Sequence, residues 1–463
     1  MGNDNKGKFG SHFGFLMASI GSAVGLGNLW GFPYKMGVGG GFAFLLLYVV
    51  LVIFVGYPLM IGEIALGRKS DKAAIRAYKS VNPKFTAAGW FCCIAPFLLL
   101  CFYATFGGYV IRYLLANLGD LFNLSFGIGG SDSANFFNNF VGSGLQAMFY
   151  GWVFLGVTVF IVVRGIKDGI EGFNKFAMPA LFVMLLIVVI RSCTLPGASK
   201  GLAFIFKPDF SVFKGWGWLK VLGLAGSQMF FSLSLASGAI IAYGSYMNKD
   251  DDIEQSSLII PFADTLAALL AAMAVMPAVF AFGLEPSGGP GLLFVSLQTV
   301  FSNMGSSGPL FGSLFYLLVL FAAVSSSIAM MEGGVSSMMD ADIFKNTKNK
   351  RLKVTLIMAL IGFVGSGLVS YDALGSSGLF HPFGQSSWLD VFDLMAEGLF
   401  MPLSGFMMTI LLGWIEPDYV DDELALSGSF KTRPFYRFSM KYLATIFLFF
   451  ILLVQLNQFF HFI

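Results

Sequence analysis

The chain has 463 residues, of which 56% are hydrophobic and 12% charged, and its net charge is +2. A soluble globular protein carries about twice that share of charged residues, so the composition indicates a polytopic membrane protein. The near-neutral charge argues against a nucleic-acid partner, which would require concentrated basic patches.

Apolar segments of about 20 residues, long enough to cross a bilayer as helices, recur along the whole chain. Eleven are predicted, which makes this an all-α polytopic membrane protein with a single domain over 1–463. The spans lie at about 11–36, 41–68, 88–116, 145–164, 172–192, 218–247, 254–283, 308–340, 354–371, 384–414 and 435–459. Most of the 28 lysines and arginines then fall on one side of the membrane. The positive-inside tendency makes that side cytoplasmic, so we expect the amino terminus inside and the carboxyl terminus outside.

Span 1 contains a glycine-rich block, GSAVGLGN at 21–28, with Gly31 and Pro33 just beyond it. A lipid-facing helix must satisfy its own backbone hydrogen bonds, so an opening here is tolerable only where the freed groups line a cavity and bind something. Small cations and zwitterions suit such a site. The alternative is that the small residues only allow helices to pack closely.

Span 6 is interrupted in the same manner around 232–238, where the sequence reads SLSLASG. Five helices separate the two interruptions, and since five is odd the two halves have opposite orientations in the membrane. Interrupted helices in corresponding positions predict an inverted repeat with a binding site at the midplane. The first repeat is expected over 9–192 and the second over 218–414, with 435–459 as an additional helix.

Four motifs follow one another along the chain and together carry a family resemblance. They are GSAVGLGN at 21–28, GYPLM at 56–60, QMFFSLS at 228–234 continuing as GAIIAYGSY at 238–246, and three serines at 325–327. In this order they resemble the neurotransmitter:sodium symporter family, and within it the bacterial amino-acid:sodium symporters.

The resemblance implies sodium-coupled uptake of an amino acid by alternating access, on a five-plus-five inverted-repeat core with helices 1 and 6 broken. It implies two Na+ ions as co-substrates, no other metal or cofactor, and no enzymatic activity. A bacterial inner membrane is the expected location, with the lipid bilayer as surroundings. Either a monomer or a homodimer is compatible with the sequence.

By similarity to the family, a first sodium ion is held by hard oxygen donors, one of them the carboxylate of the bound substrate. The protein donors are the carbonyl of Ala23 and the side chains of Asn28, Ser232 and Asp264. Position 264 is commonly Asn in the family, where chloride or a nearby Glu supplies negative charge. Asp264 is expected to supply that charge itself, so transport should not depend on chloride. The alternative is a helix-cap or interfacial aspartate close to Pro261.

A second sodium ion is expected between spans 1 and 8, where it would hold the inward path shut. Its ligands by similarity are the carbonyls of Gly21, Val24 and Ala322 and the hydroxyls of Ser325 and Ser326. The alternative for these serines is hydrogen bonding back to carbonyls of their own helix.

The substrate's amino and carboxyl groups are expected to meet the exposed backbone of spans 1 and 6, with the Tyr103 hydroxyl on the carboxylate. The positive end of a half-helix near Leu26 suits that carboxylate. Ser237 stands where the family's leucine transporter has an aromatic residue, so a larger apolar or aromatic amino acid is the predicted substrate. The full predicted set is Ala23, Gly25, Leu26, Gly27, Leu99, Tyr103, Phe231, Ser232, Ser234, Ser237, Ser327 and Met330.

Two gates are expected. On the inside, Lys6 and Asp340 occupy the positions of a family Arg–Asp pair, although a Lys cannot form the bidentate contact of an Arg. On the outside, Phe231 and Tyr103 are expected to close over the substrate. The family's outer Arg position is Gly31 here, so we expect Lys35, four residues further on, to oppose Asp393 instead.

Two buried acidic residues are assigned structural roles. Glu63 should be a buried carboxylate that hydrogen-bonds near the break of span 1, and Glu332 is expected to be structural more than substrate-binding.

Other functions fit the residues less well. An enzyme would need a nucleophile elbow, an intramembrane His pair or a metal signature, and a channel would need a continuous pore. A proton-coupled transporter of the same architecture and a non-transporting amino-acid sensor of the same fold remain as alternatives.

Overall fold

The computed structural model describes residues 7–129, 132–285, 289, 291–341, 344, 349–428 and 430–460, with side chains described as far as residue 457. Every regular element in these ranges is helical. The helices of the first half are α1 (His12–Ala23), α2 (Gly27–Val38), α3 (Phe42–Ser70), α4 (Ala74–Val81), α5 (Thr86–Leu121), α6 (Ser133–Gly142), α7 (Gly144–Val163), α8 (Ile166–Cys193) and α9 (Ala198–Phe206).

The second half also contains both long and short helices. Its members are α10 (Gly217–Ser232), α11 (Ala239–Tyr246), α12 (Ile253–Ala281), α13 (Leu292–Ser302), α14 (Gly308–Asp340), α15 (Lys350–Asp372), α16 (Trp388–Ile415), α17 (Asp418–Leu424) and α18 (Arg433–Asn457). The predicted spans coincide with these helices to within a few residues.

Nine helices in the described part of the chain are long and apolar enough to cross a membrane, and ten when α1 and α2 are joined as one bent span. The sixth predicted span is divided into α10 and α11, each shorter than a bilayer requires. The count of eleven and the division into repeats at 9–192 and 218–414 therefore stay predictions.

The break of span 1 lies where the glycine-rich block predicted it. α1 ends at Ala23, because Val24 takes an extended conformation with φ −77° and ψ 102°. α2 then begins at Gly27 with a π-helical turn, and the two helices are bent by 44° relative to each other. Carbonyls at the end of α1 and amides at the start of α2 thus lack the usual intrahelical partners.

The break of span 6 occupies Leu233–Gly238 and is the more strained of the two. Ser234 and Ala236 have positive φ values of 52° and 55°, and Gly238 has 74°. A left-handed conformation at a non-glycine residue costs about 1–3 kcal/mol and persists only where surrounding contacts hold it. Glu63 is one such contact, because its Oε1 accepts a hydrogen bond from the Ala236 amide at 2.5 Å. The carboxylate therefore holds the break of span 6, whereas the sequence had placed it near the break of span 1.

Long helices surround the two breaks and position them. α14 packs along α5, α7, α8 and α15, while α1 contacts α8, α12 and α14. Outward faces remain apolar, as shown by Phe176 on α8, Phe262 on α12 and Val364 on α15, each about two-thirds exposed or more. Exposed large hydrophobic side chains of this kind suit lipid contact, so the fold is that of a multi-pass membrane protein.

Candidate functional site

The two breaks face each other at the centre of the helix bundle. Ser234 Oγ, in the break of span 6, donates a hydrogen bond to the Ser22 carbonyl at the end of α1 at 2.7 Å. Gln228 Nε2 on α10 donates to the Gly27 carbonyl at 2.8 Å. Polar groups freed by one break are thus partly satisfied by the other, and the two segments form a single polar region.

Asp264 on α12 is the hub of a first polar cluster in this region. Its Oδ1 accepts from Asn28 Nδ2 at 2.7 Å, and Ser232 Oγ lies 3.0 and 2.9 Å from Oδ1 and Oδ2. Tyr48 on α3 donates to Oδ2 at 3.0 Å. All four side chains are fully buried. Three of them had been predicted for the first sodium site, whereas Tyr48 was missed because nothing in its local sequence points to a residue 216 positions away.

Asn28 connects this cluster to the break of span 1. Its Oδ1 accepts a hydrogen bond from the Gly25 amide at 2.9 Å, while its Nδ2 also donates to the Asp264 carbonyl at 3.1 Å. Ala23, whose carbonyl was predicted as a ligand, is buried at the end of α1. The arrangement gathers a carboxylate and hydroxyl and amide oxygens, which are donors that a hard cation prefers.

The start of α2 lies against Tyr103 and Phe231. The Leu26 amide donates to Tyr103 Oη at 3.0 Å, and the rings of Tyr103 and Phe231 meet edge to face with centroids 6.3 Å apart. Space here suits glycine alone, because a Cβ on Gly25 would lie 2.8 Å from Tyr103 Oη and one on Gly27 would lie 2.9 Å from Phe231 Cδ1. The amino end of a helix carries a partial positive charge, which favours an anionic group.

A second cluster joins α1 to α14. Ser326 Oγ lies 3.3, 3.2 and 3.4 Å from the carbonyl oxygens of Gly21, Ser22 and Val24. The hydroxyl therefore points into the group of carbonyls that had been predicted to hold the second sodium ion. Ser325 behaves differently, since its Oγ donates to the Ala322 carbonyl of its own helix at 2.8 Å. That contact is the local alternative that the sequence had left open for these serines.

The predicted walls of the substrate pocket, Leu99, Ser237, Ser327 and Met330, are all buried. Two of them already have hydrogen-bond partners. Ser237 Oγ donates to the Ser234 carbonyl at 2.6 Å, and Ser327 Oγ lies 2.7 Å from the hydroxyl of Thr158 on α7. Sequence reasoning had missed Thr158, which has the local pattern of an ordinary apolar span.

A cavity of about 330 Å³ lies above Phe231, at the end of the bundle predicted to face outward. Acidic side chains from α16 line one wall and Lys35 lines another. The sequence had predicted that Lys35 would oppose Asp393, but Lys35 Nζ pairs with Glu397 Oε2 at 3.3 Å and also donates to Ser227 Oγ at 3.2 Å. Glu397 lies four residues after Asp393, about one helical turn along α16, and both carboxylates line the same cavity as Lys35.

The opposite end of the bundle is tightly packed. Phe9 is buried among Phe15, Tyr243 and Tyr246, and its amide donates to the Tyr246 carbonyl at 3.2 Å. Asp340, predicted for the inner gate, accepts from the Ala73 amide at 2.7 Å. Its predicted partner Lys6 lies outside the described residues.

Glu332 has a structural partner that the sequence did not reveal. The buried carboxylate pairs with Arg351 on α15 at 2.5 Å and accepts from the Tyr246 hydroxyl at 2.8 Å. Arg351 also donates to the Val162 carbonyl at the end of α7. Glu332 is therefore engaged at the packed end of the bundle rather than exposed to a substrate, which agrees with the structural role assigned to it.

Comparisons with known proteins identify the relatives of this chain. The family model described as the sodium:neurotransmitter symporter family matches residues 6–125 and 145–462. The uncharacterized sodium-dependent transporter YhdH of Bacillus subtilis is 35% identical over 408 residues, which cover 88% of this chain and 87% of the relative. An uncharacterized sodium-dependent transporter of Haemophilus influenzae is 31% identical over 433 residues, covering 91% and 92%.

Among solved structures, the crystal structure of MhsT in complex with L-phenylalanine is similar to this fold. The TM-score is 0.87 at 34% sequence identity, and the match covers 97% of this chain and 100% of that one.

Proposed function

The chain belongs to the sodium:neurotransmitter symporter family, and from that premise we propose that it carries an amino acid across the membrane together with sodium by alternating access. Its relatives are sodium-dependent transporters and not enzymes. The observation that carries the proposal is the meeting of two broken helices around the buried carboxylate of Asp264. Freed backbone at membrane depth is tolerated where it binds a solute, and a buried ionisable residue beside it favours a cation.

The first cluster supports coupling of the cation to the solute. A sodium ion bound to Asn28, Ser232, Asp264 and the carbonyl of Ala23 would lie next to the amides at the start of α2, where an amino acid's carboxylate is favoured. Each of the two ligands would then add attraction for the other, and by linkage the effect is mutual. This mutual effect is the physical basis of symport.

Asp264 also supports chloride independence. A carboxylate supplies a full negative charge at a position where the family commonly has a neutral amide, so sodium can be balanced without a bound anion. Three donors, from Asn28, Ser232 and Tyr48, hold the carboxylate in one orientation. Preorganised oxygen ligands of this kind need little rearrangement when a cation binds.

The second cluster supports a second sodium ion between α1 and α14, on the carbonyls of Gly21, Val24 and Ala322 and the hydroxyls of Ser325 and Ser326. An ion there would tie α1 to α14 and stabilise the packed end of the bundle. Ser325 would have to exchange its contact with the Ala322 carbonyl for the ion, which requires only a rotation about χ1.

An apolar or aromatic amino acid is the proposed substrate. The pocket residues Leu99, Phe231 and Met330 are apolar, and Ser237 is smaller than the aromatic residue of the leucine transporter. The similar MhsT structure holds L-phenylalanine, which makes that amino acid the first candidate. We place the protein in the bacterial cell membrane with its amino terminus in the cytoplasm, in line with the distribution of lysine and arginine.

Reconstituted protein tests the proposal. Uptake of radiolabelled L-phenylalanine into proteoliposomes is expected under an inward sodium gradient at equal pH on both sides, with no uptake when potassium replaces sodium. A thermal-shift screen of the natural amino acids, each in sodium and in potassium, identifies the substrate independently. Uptake driven by a pH gradient without sodium would favour the proton-coupled alternative, and sodium-dependent binding without uptake would favour a sensor.

A further inference from the structure

The buried asparagine Asn174 lies on α8, a helix that packs against α1 and α14. The residue is fully buried, and its Nδ2 donates to the Ile170 carbonyl of the same helix at 2.8 Å. Its Oδ1 has no hydrogen-bond partner among the residues that the structure describes. A buried polar atom in this state is costly, and it points to a ligand that is recognised there.

Asn174 Oδ1 points toward α1 near its contact with α14. A Cβ built on Gly21 would stand only 2.1 Å from Asn174 Oδ1 and 3.2 Å from the Cβ of Ser325. Gly21 and Ser325 both belong to the set proposed above for the second sodium ion. Asn174 therefore places an oxygen from a third helix beside Gly21, a residue of that set.

Simple packing accounts less well for this contact, as a second asparagine in the chain shows. Asn117 on α5 also places its Oδ1 against a helix glycine, 2.0 Å from where a Cβ on Gly312 would stand. Its amide is satisfied, however, because it donates to Gln298 Oε1 at 2.9 Å and accepts from Gln298 Nε2 at 3.4 Å. Helix packing against glycine thus does not require an unpartnered amide oxygen.

We propose that Asn174 Oδ1 is a further ligand of the second sodium ion, contributed by α8, so that the ion joins α1, α8 and α14. The inference rests on the proposed function. Amide oxygens are suitable neutral ligands for a hard cation, and this one adds no second negative charge to a site built from carbonyls and hydroxyls. α8 would consequently be tied to α1 when sodium is bound and released when it leaves.

Sodium titration of substrate binding tests the assignment. We would measure the half-saturating sodium concentration for L-phenylalanine binding to purified protein, with potassium keeping the ionic strength constant. Asn174→Ala is expected to raise that concentration about 10- to 100-fold, while maximal binding at saturating sodium is retained. Asn174→Asp keeps an oxygen at this position and should stay within about threefold of the wild type. Asn117→Ala is the matched control and should leave the sodium dependence unchanged.

A double-mutant comparison separates ligation from a general loss of packing. If Asn174 and Ser326 hold the same ion, the combined Asn174→Ala and Ser326→Ala variant should be affected less than the product of the two single changes. Unchanged sodium dependence in Asn174→Ala would overturn the assignment, as would equal losses in Asn174→Ala and Asn174→Asp or strictly multiplicative effects with Ser326→Ala. If Asn174→Ala does not fold, Asn174→Ser is read by the same criteria.

The wild-type titration distinguishes a failure of this inference from a failure of the proposed function. A wild-type protein that binds no amino acid in a sodium-dependent manner contradicts the symporter proposal itself. A sodium-dependent wild type with an unaffected Asn174→Ala variant contradicts only the role of Asn174.

Discussion

Replacing Asp264 by Asn removes one charge from the first cluster while preserving its shape. The carboxylate accepts hydrogen bonds from Asn28, Ser232 and Tyr48 at 2.7–3.0 Å, and all three donor residues are fully buried. The substitution therefore changes two properties at once: the negative charge offered to a cation, and the acceptor capacity offered to three donors.

The lost negative charge sets the expected magnitude. At about 4 Å and an effective dielectric constant of about 20, a unit charge attracts a cation by about 4 kcal/mol. Part of this is offset because the neutral amide keeps one oxygen and is cheaper to bury. A net loss of about 1.4 to 2.8 kcal/mol in sodium affinity remains, which corresponds to a 10- to 100-fold rise in the half-saturating sodium concentration.

The assay is sodium-dependent uptake of L-phenylalanine into proteoliposomes, in chloride and in gluconate. Wild-type uptake should be equal in the two anions, whereas Asp264→Asn should show the weakened sodium dependence and recover part of it in chloride. Asp209→Asn, which changes an exposed aspartate outside the helices, is the control. Asp264→Asn protein with wild-type sodium dependence, or wild-type uptake that requires chloride, would refute the reasoning.

Three further predictions concern the outer cavity, the close contacts at the breaks and the pocket. Lys35→Ala and Glu397→Gln each remove the ion pair across the outer cavity and are expected to speed dissociation of bound substrate a few-fold. A dissociation rate equal to the wild type in both variants would rule out this pair as the outer gate. Gly25→Ala should abolish substrate binding because the added methyl group would lie 2.2 Å from the buried hydroxyl of Ser326. Gly156→Ala is the control and should bind normally, since a methyl group there meets nothing within 4 Å. Substrate binding by Gly25→Ala would contradict the close packing at the break. Ser237→Met should weaken L-phenylalanine relative to L-leucine about tenfold in competition binding, since overpacking costs about 1–3 kcal/mol, and an unchanged ratio would place that side chain outside the pocket.

Local sequence predicted the helical architecture and the positions of both breaks. Glycine at the end of α1 and a serine-rich run after α10 lower the cost of leaving the helix, so these interruptions are visible without tertiary information. The resemblance to a family also brought Asn28, Ser232 and Asp264 into one proposed site, and the structure places these three side chains in direct contact.

Contacts between side chains far apart in the chain could not be predicted from the sequence. Tyr48 reaches Asp264 across 216 positions, and Thr158 reaches Ser327 across 169. Both residues lie in apolar spans where a single hydroxyl carries no local signal. Whether such a group faces lipid, a neighbouring helix or the site depends on how each helix is rotated in the bundle, and that rotation is set by packing over its whole length.

The sequence by itself determined that this chain crosses a membrane many times and that two of its spans open at defined points, because hydrophobic length and glycine content are local properties. Only the tertiary structure decided which acid faces Lys35, which break Glu63 holds and where the oxygen of Asn174 is directed. These choices depend on the depth and rotation of helices far apart in the chain, since a buried charge or amide takes the partner that packing brings within hydrogen-bond distance.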